Sequence, residues 1–272
     1  MSFFKNTIGK LFLSEEKSIP PENRPPLIPL STDPVPEFRP DPVDICFCGS
    51  GEFFKSCCGS PENKRKPPYG IFVHENYLDK STVRKLVDLI ETKKSTRLRV
   101  IDNEKSTADN VVTKLDDQRV SERVEMQEHY PIVCEIVKTA FIDLVKQHAN
   151  KEIEWFEPPQ VMRYGAGGYY HGHSDNESFD PEKNIWKRVI DRNFSLLLYL
   201  NEDFEGGELF FEKFNYSLQP KAGMAVLFPS DNRYMHSAQT VFEGTRIAIA
   251  TWAAVKGQPR ISTVPPQEAI VL

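Results

Sequence analysis

Residues 161–175 read VMRYGAGGYYHGHSD: a β-prone run, a glycine-rich turn at 165–168, and a second aromatic run that ends in His173-Ser174-Asp175. On an extended strand the side chains at i and i+2 point to one face, so His173 and Asp175 present an imidazole and a carboxylate together. By the same count His171 shares that face. The glycines allow a tight turn or a close backbone approach. Comparable β-branched and aromatic segments occur at 154–164, 194–200, 208–211, 225–228 and 246–253, separated by Gly, Asp, Asn and Pro. Short strands at this spacing predict an antiparallel barrel or sandwich.

A second metal-capable imidazole, His236, precedes the apolar run that ends IAIATWA. Nothing in sequence proximity brings it to His173, but an antiparallel barrel can. Two imidazoles and one carboxylate on one face of an octahedral metal leave three open positions, the arrangement of non-haem Fe(II) oxygenases. Alone, a His-x-Asp pair carries little weight in a chain with six histidines. Arg246 adds to it. An inward guanidinium on an apolar strand is costly unless it meets an anion, which calls for a carboxylate ligand.

N-terminal to this half, the pattern is helical. Ser81 or Thr82 can cap a helix with Val83, Leu86, Val87 and Ile90 on its apolar side, after a strand at 70–73. Pro131 suits the first position of a second helix, whose buried stripe is Val133, Ile136, Val137, Ala140, Phe141, Leu144 and Val145. Cys134 fits the buried side of that helix as a packing residue. Between the helices, 96–126 is polar and suits one or two short strands around a mobile loop, a candidate lid. In the polar insert 176–192, Trp186 is either a substrate-facing lid residue or a packing anchor. Residues 256–272 form a tail or a late docking strand.

From residue 70 to 255, about two thirds of the chain, the sequence resembles the prolyl-4-hydroxylase family of Fe(II)- and 2-oxoglutarate-dependent dioxygenases. The resemblance is carried in order by FVHENYLDKSTVRKLVDLIE, by the stretch containing Tyr164, Tyr170, His173 and Asp175, by LLLYLNEDFEGGELFF, and by PKAGMAVLFPS leading to His236, Gly244 and Arg246. It implies an α+β fold with a double-stranded β-helix, a cupin-like jelly-roll barrel, backed by helices. It implies further that His173, Asp175 and His236 bind Fe(II), which 2-oxoglutarate chelates through its 1-carboxylate and 2-keto oxygens, with O2 in the remaining position. Arg246 would hold the distal carboxylate as a bidentate pair, helped by the hydroxyl of Tyr164 or Tyr199. The products would be succinate, CO2 and a hydroxylated substrate, most simply a prolyl residue of a protein or peptide, with ascorbate a possible auxiliary reductant. The alternatives are the same chemistry on another side chain or a small molecule, or a zinc-module adaptor without turnover. In this family one residue separates the ligating pair, which selects His173 and leaves His171 a place beside the site or toward the substrate. Collagen-type relatives carry lysine where Arg246 stands, whereas oxygen-sensing and small bacterial hydroxylases carry arginine.

The N-terminal part is organised differently. Residues 1–43 comprise a short apolar-sided start and a linker, with nine prolines among the 23 residues from 20 to 42, which favours extended chain. Residues 44–62 hold Cys46, Cys48, Cys57 and Cys58, four of the five cysteines. In a cytosolic chain such clustering points to metal before disulfide, and four thiolates suit a closed tetrahedral zinc site. The series DICFCGSGEFFKSCCGS resembles the SEC-C motif, which implies a structural Zn(II) module with a role in protein docking. Its neighbours Lys64, Arg65 and Lys66 could contact a partner.

Composition narrows the rest. With 34 basic against 39 acidic side chains, net −5, the chain lacks the basic excess of a nucleic-acid binder. No apolar run reaches the roughly 18 to 20 residues of a membrane span, and no secretory signal opens the chain, so a cytoplasmic protein is expected.

Overall fold

The computed structural model describes residues 42–43, 51–57, 60, 62, 67–68, 70–98, 100–101, 113–114, 118–262, 264–266 and 268–272. Two helices and fourteen strands build its centre. The helices are α1 (Lys80–Glu91) and α2 (Tyr130–Ala149). The strands are β1 (Phe72–His74), β2 (Ser95–Arg97), β3 (Arg119–Val120), β4 (Glu122–Val124), β5 (Ile153–Phe156), β6 (Gln160–Tyr164) and β7 (Tyr169–His173). They continue with β8 (Phe194–Tyr199), β9 (Leu209–Phe211), β10 (Tyr216–Leu218), β11 (Ala225–Pro229), β12 (His236–Ala238), β13 (Arg246–Val255) and β14 (Ile270–Val271).

A major sheet runs β1-β11-β8-β13-β6-β4-β2, with β5 on the far end of β13 and β14 on β5. A minor sheet runs β10-β9-β12-β7-β3, and every pairing is antiparallel. Strand alternation explains how the layers form. On β8, Leu196 and Leu198 join the cluster that includes Val133, Phe141 and Leu144 of α2, while Tyr199 turns inward with Met224, Val226 and Phe228 onto Leu209 and Phe211 of the minor sheet. Across this seam Phe211 meets Phe228 edge-on at 5.0 Å. The result is a jelly-roll-like barrel with helices against the outer face of the major sheet.

All seven residues expected to bury on α2 do so. Other readings shift. α1 is capped by Asp79, which accepts from the Ser81 and Thr82 amides at 2.9 and 3.0 Å, so Ser81 and Thr82 lie in the first turn rather than capping it. A 3-10 turn, Gln127–His129, leads into α2, which starts at Tyr130, one residue before Pro131. The first strand lies at Phe72–His74 rather than 70–73. The single segment expected over 154–164 is two strands, because Pro158 and Pro159 cannot donate to a ladder. Cys134 is half-buried rather than a core residue, and burial raises its thiol to about 11.

Within the candidate lid, β2 and β4 extend the major sheet, β3 extends the minor sheet, and Val100–Ile101 pairs with Thr113–Lys114. The insert after Asp175 forms a hairpin, Glu177–Asp180 with Ile185–Arg188, in which Trp186 is buried and packs on Phe179 at 5.5 Å. The C-terminal residues dock: β14 pairs with β5, and buried Arg260 meets Glu154 at 2.5 Å. Of the cysteine cluster, Cys46, Cys48 and Cys58 lie outside the described residues, as does most of 1–43. No helix among the described residues is long and apolar enough to cross a membrane.

Candidate metal centre

His173, at the end of β7, is paired directly with His236, the first residue of β12. The antiparallel register thus joins imidazoles 63 positions apart, and Asp175 follows as the chain leaves β7. His173 Nε2 lies 3.5 Å from Asp175 Oδ1, and His236 Nε2 lies 3.7 Å from Asp175 Oδ2. All three donor atoms fall within 4.8 Å of one another, the one such cluster of three or more among the described residues.

Each imidazole is held for ligation through Nε2. His173 Nδ1 lies 2.9 Å from the His171 carbonyl and His236 Nδ1 lies 3.0 Å from the Tyr234 carbonyl. A carbonyl can only accept, so Nδ1 carries a proton, and in the neutral ring the Nε2 lone pair is the one left for a metal. Burial pushes His236 down to about 4, against the opposing pull of Asp175. For Asp175 burial opposes ionisation, yet the two imidazoles and the Ser195 hydroxyl outweigh it and hold the carboxyl well below the usual range. Around the rings Tyr170 stacks on His173 at 3.8 Å, while Phe228 and Phe211 stand 4.7 and 5.8 Å from His236. These rings line the donors: His236 and Asp175 are buried, while His173 stays half-buried.

The expectation that His171 shares the face of His173 is overturned by a register shift. His173 pairs with His236 but Tyr170 pairs with Ala238, so three residue steps on β7 match two on β12. A bulge of this kind inverts the phase of the strand that precedes it. Tyr170 therefore turns inward onto His173, while exposed His171 turns out beside Tyr169, with ring centroids 4.6 Å apart. There it lines a groove of about 450 Å³ with Tyr169, Phe210, Glu212 and Gln239, which Tyr170 also borders. His171→Ala should leave metal affinity within about twofold of wild type by calorimetric titration; a tenfold loss would place His171 in the centre after all.

Arg246 opens β13 opposite Tyr164 of β6. It is buried, donates from Nη1 to the Gly207 carbonyl at 2.8 Å, and lies 4.3 Å from the Tyr164 ring and 5.6 Å from that of Tyr199. Gly207 adopts φ +66°, and a Cβ there would sit 3.3 Å from Arg246 Cδ and 3.1 Å from Val241, so glycine is needed on both counts. The Arg246 charge is felt at His236, which it helps keep neutral. Among the described residues no carboxylate pairs with Arg246, and neither its Nε nor the Tyr199 hydroxyl has a hydrogen-bond partner. Burial raises the Tyr199 phenol to about 12, so it stays a donor at neutral pH. Tyr164 instead offers its ring face, its hydroxyl resting on Met162 Sδ at 3.8 Å.

Three groups escaped the sequence reading. Tyr170 reads as ordinary barrel wall until the bulge is known. Ser195 donates to Asp175 Oδ2 at 2.6 Å from 20 positions away. Arg192 stacks on Trp252 at 3.8 Å, forks onto Glu157 and donates to the Asp175 carbonyl at 2.8 Å. No local spacing announces these contacts.

Residues 159–254 match the 2OG-Fe(II) oxygenase superfamily. Over 89 residues the chain is 39% identical to human prolyl 3-hydroxylase 2, a stretch covering 29% of this chain and 13% of that protein. Over 100 residues it is 38% identical to a PKHD-type hydroxylase of a Psychrobacter strain, covering 35% of this chain and 37% of that one. The matched stretches therefore span well under half of these relatives. The structure of a Trichoplax adhaerens prolyl hydroxylase in complex with a hypoxia inducible factor oxygen degradation domain peptide superposes with a TM-score of 0.51 at 19% identity, over 71% of this chain and 86% of that one. The mostly antiparallel core with its helices is typical of the jelly roll of 2OG oxygenases.

Proposed function

We propose, from the 2OG-Fe(II) oxygenase domain matched over residues 159–254, that this chain is an Fe(II)- and 2-oxoglutarate-dependent dioxygenase that hydroxylates prolyl residues of a protein or peptide. The observation that carries the reading is a buried guanidinium with no carboxylate partner among the described residues, in one interior with a His-Asp-His cluster whose imidazoles both offer Nε2 to a metal. The donor set fits Fe(II), with nitrogen and carboxylate ligands and positions left open. When bound, Fe(II) and 2-oxoglutarate supply the oxidation of a C–H bond by O2 with release of succinate and CO2.

The protein's part is positioning. His173, Asp175 and His236 hold the metal. Arg246 takes the distal carboxylate of 2-oxoglutarate through charge-assisted hydrogen bonds, and the Tyr199 hydroxyl donates alongside it. The Tyr164 ring, 4.3 Å from the guanidinium, would hold Arg246 in place, and Tyr170, Phe211 and Phe228 would shield the bound metal from water. The domain extends over residues 70–255 in this reading, because β1 and both helices complete the major sheet and its core, while 256–272 is a docked tail. Ascorbate serves as auxiliary reductant.

The test is O2-dependent succinate formation from 2-oxoglutarate after anaerobic loading with Fe(II), with and without ascorbate. Proline-containing peptides should accelerate it and gain one oxygen. Absence of both 2-oxoglutarate binding and succinate in the iron-loaded protein would end the reading.

The same proposal assigns Cys46, Cys48, Cys57 and Cys58, within 44–62, to a structural Zn(II) module that docks a protein partner, in a cytoplasmic setting that keeps thiols reduced. Cys58→Ser in the full chain should lose one zinc per chain by elemental analysis while iron stays at wild-type level. Full zinc retention by that variant speaks against the module.

A further inference from the structure

We propose that Ser195, oriented by Ser230, is a positioning residue that makes Asp175 ligate through Oδ1 alone, and so keeps a coordination position free for O2. This rests on the metal-centre reading above.

Ser195 stands on the inner face of β8, in phase with Tyr199, where the other side chains are apolar. A hydroxyl only 2% exposed there is costly unless fully hydrogen-bonded. It is so bonded, and in one direction. Ser195 Oγ lies 2.6 Å from Asp175 Oδ2 and 2.8 Å from Ser230 Oγ. A serine has one hydroxyl proton and an ionised carboxylate has none to give, so Ser195 must donate to Asp175 and accept from Ser230. The protons therefore point in series from Ser230 through Ser195 to Oδ2.

Ser230, also 2% exposed, holds the chain that carries the carboxylate. Its carbonyl accepts from the amides of Asp175 and Asn176, both at 3.1 Å, and from the Ser174 hydroxyl at 3.2 Å. One residue thus fixes the backbone under Asp175 and the proton order above it. With Oδ2 engaged by a short hydrogen bond, Oδ1, on the His173 side, is the stronger donor toward a metal. The arithmetic of an octahedral ion gives the consequence. Two imidazoles and one carboxylate oxygen leave three positions, two for a chelating 2-oxo acid and one for O2; a carboxylate bound through both oxygens leaves none for O2.

The experiment uses the full chain, stripped of metal, titrated with Co(II) by calorimetry and by its visible absorption, with and without 2-oxoglutarate. Ser195→Ala should bind Co(II) about 10- to 100-fold more weakly, with a visible spectrum altered from wild type, in a protein that still unfolds cooperatively, at a temperature lowered by the two buried hydrogen bonds it loses. Ser195→Thr, which restores the hydroxyl, should recover the wild-type spectrum. An unchanged affinity and spectrum in Ser195→Ala overturns the proposal and leaves the metal centre standing; failure of the wild type to bind Co(II) overturns the metal-centre reading itself. Should Ser195→Ala not fold, Ser230→Ala decides: a several-fold loss of affinity upholds the proposal, and wild-type affinity sinks it.

Discussion

His173→Ala should bind no Fe(II) at concentrations that saturate the wild type, and form no succinate. The substitution removes one of three protein donors and leaves a site with two. Loss of a mere hydrogen-bond partner around a metal ligand costs about 10- to 100-fold in affinity, so loss of the ligand should cost about 1,000-fold or more. The fold should survive. His173 ends β7 and is half-buried, and its main loss is the stacking of Tyr170, worth about 1 kcal/mol. Metal titration of the folded variant checks the outcome. Affinity within tenfold of wild type would remove His173 from the centre, and the contrast with His171→Ala isolates the effect of strand phase.

Arg246→Met should fail to use 2-oxoglutarate while folding as well as the wild type. Hydrogen bonds to charged groups contribute about 1.5–3 kcal/mol each. Losing a bidentate pair therefore raises the requirement for 2-oxoglutarate about 100- to 10,000-fold. The effect on stability has the opposite sense. A buried cation without a carboxylate among the described residues carries a desolvation cost of several kcal/mol. The Gly207 hydrogen bond and the Tyr164 ring offset that cost, together by about 3–5 kcal/mol. Methionine of similar length removes both sides, so the metal-free unfolding midpoint should stay at or above that of wild type. A KM for 2-oxoglutarate within threefold of wild type would contradict the assignment, and a large drop in midpoint would mean that Arg246 is mainly a structural residue.

What could be read from the sequence was what short-range periodicity determines. α2 declares all seven buried residues through one 3.6-residue stripe, and β8, β9, β11 and β13 fall within a few residues of their hydrophobic runs, whereas β10 was not foreseen and His236, expected on a turn, opens β12. The His-x-Asp pair and Arg246 stood out because charged and metal-binding side chains interrupt an apolar alternation. What escaped depends on partners far along the chain. The phase of β7 is set by its pairing with β12, so no count along HGHSD could show that Tyr170 faces in and His171 out. Ser195 is one serine among many until Asp175 and Ser230 meet it. The Asp79 cap was missed for a local reason, since three capping residues stand within four positions and only backbone geometry selects among them.

The phase break in β7 has an evolutionary reading. Because the extra residue separates Tyr169 and His171 from His173, five consecutive positions serve two surfaces with different chemical demands. Inside, almost any exchange harms the donors. Outside, the side chains of Tyr169, His171, Phe210 and Glu212 border a groove and stand apart from the donor cluster, so they can be randomised in a library while the reactive centre stays constant. Such a strand lets a lineage change what it meets on its exterior without renegotiating its chemistry.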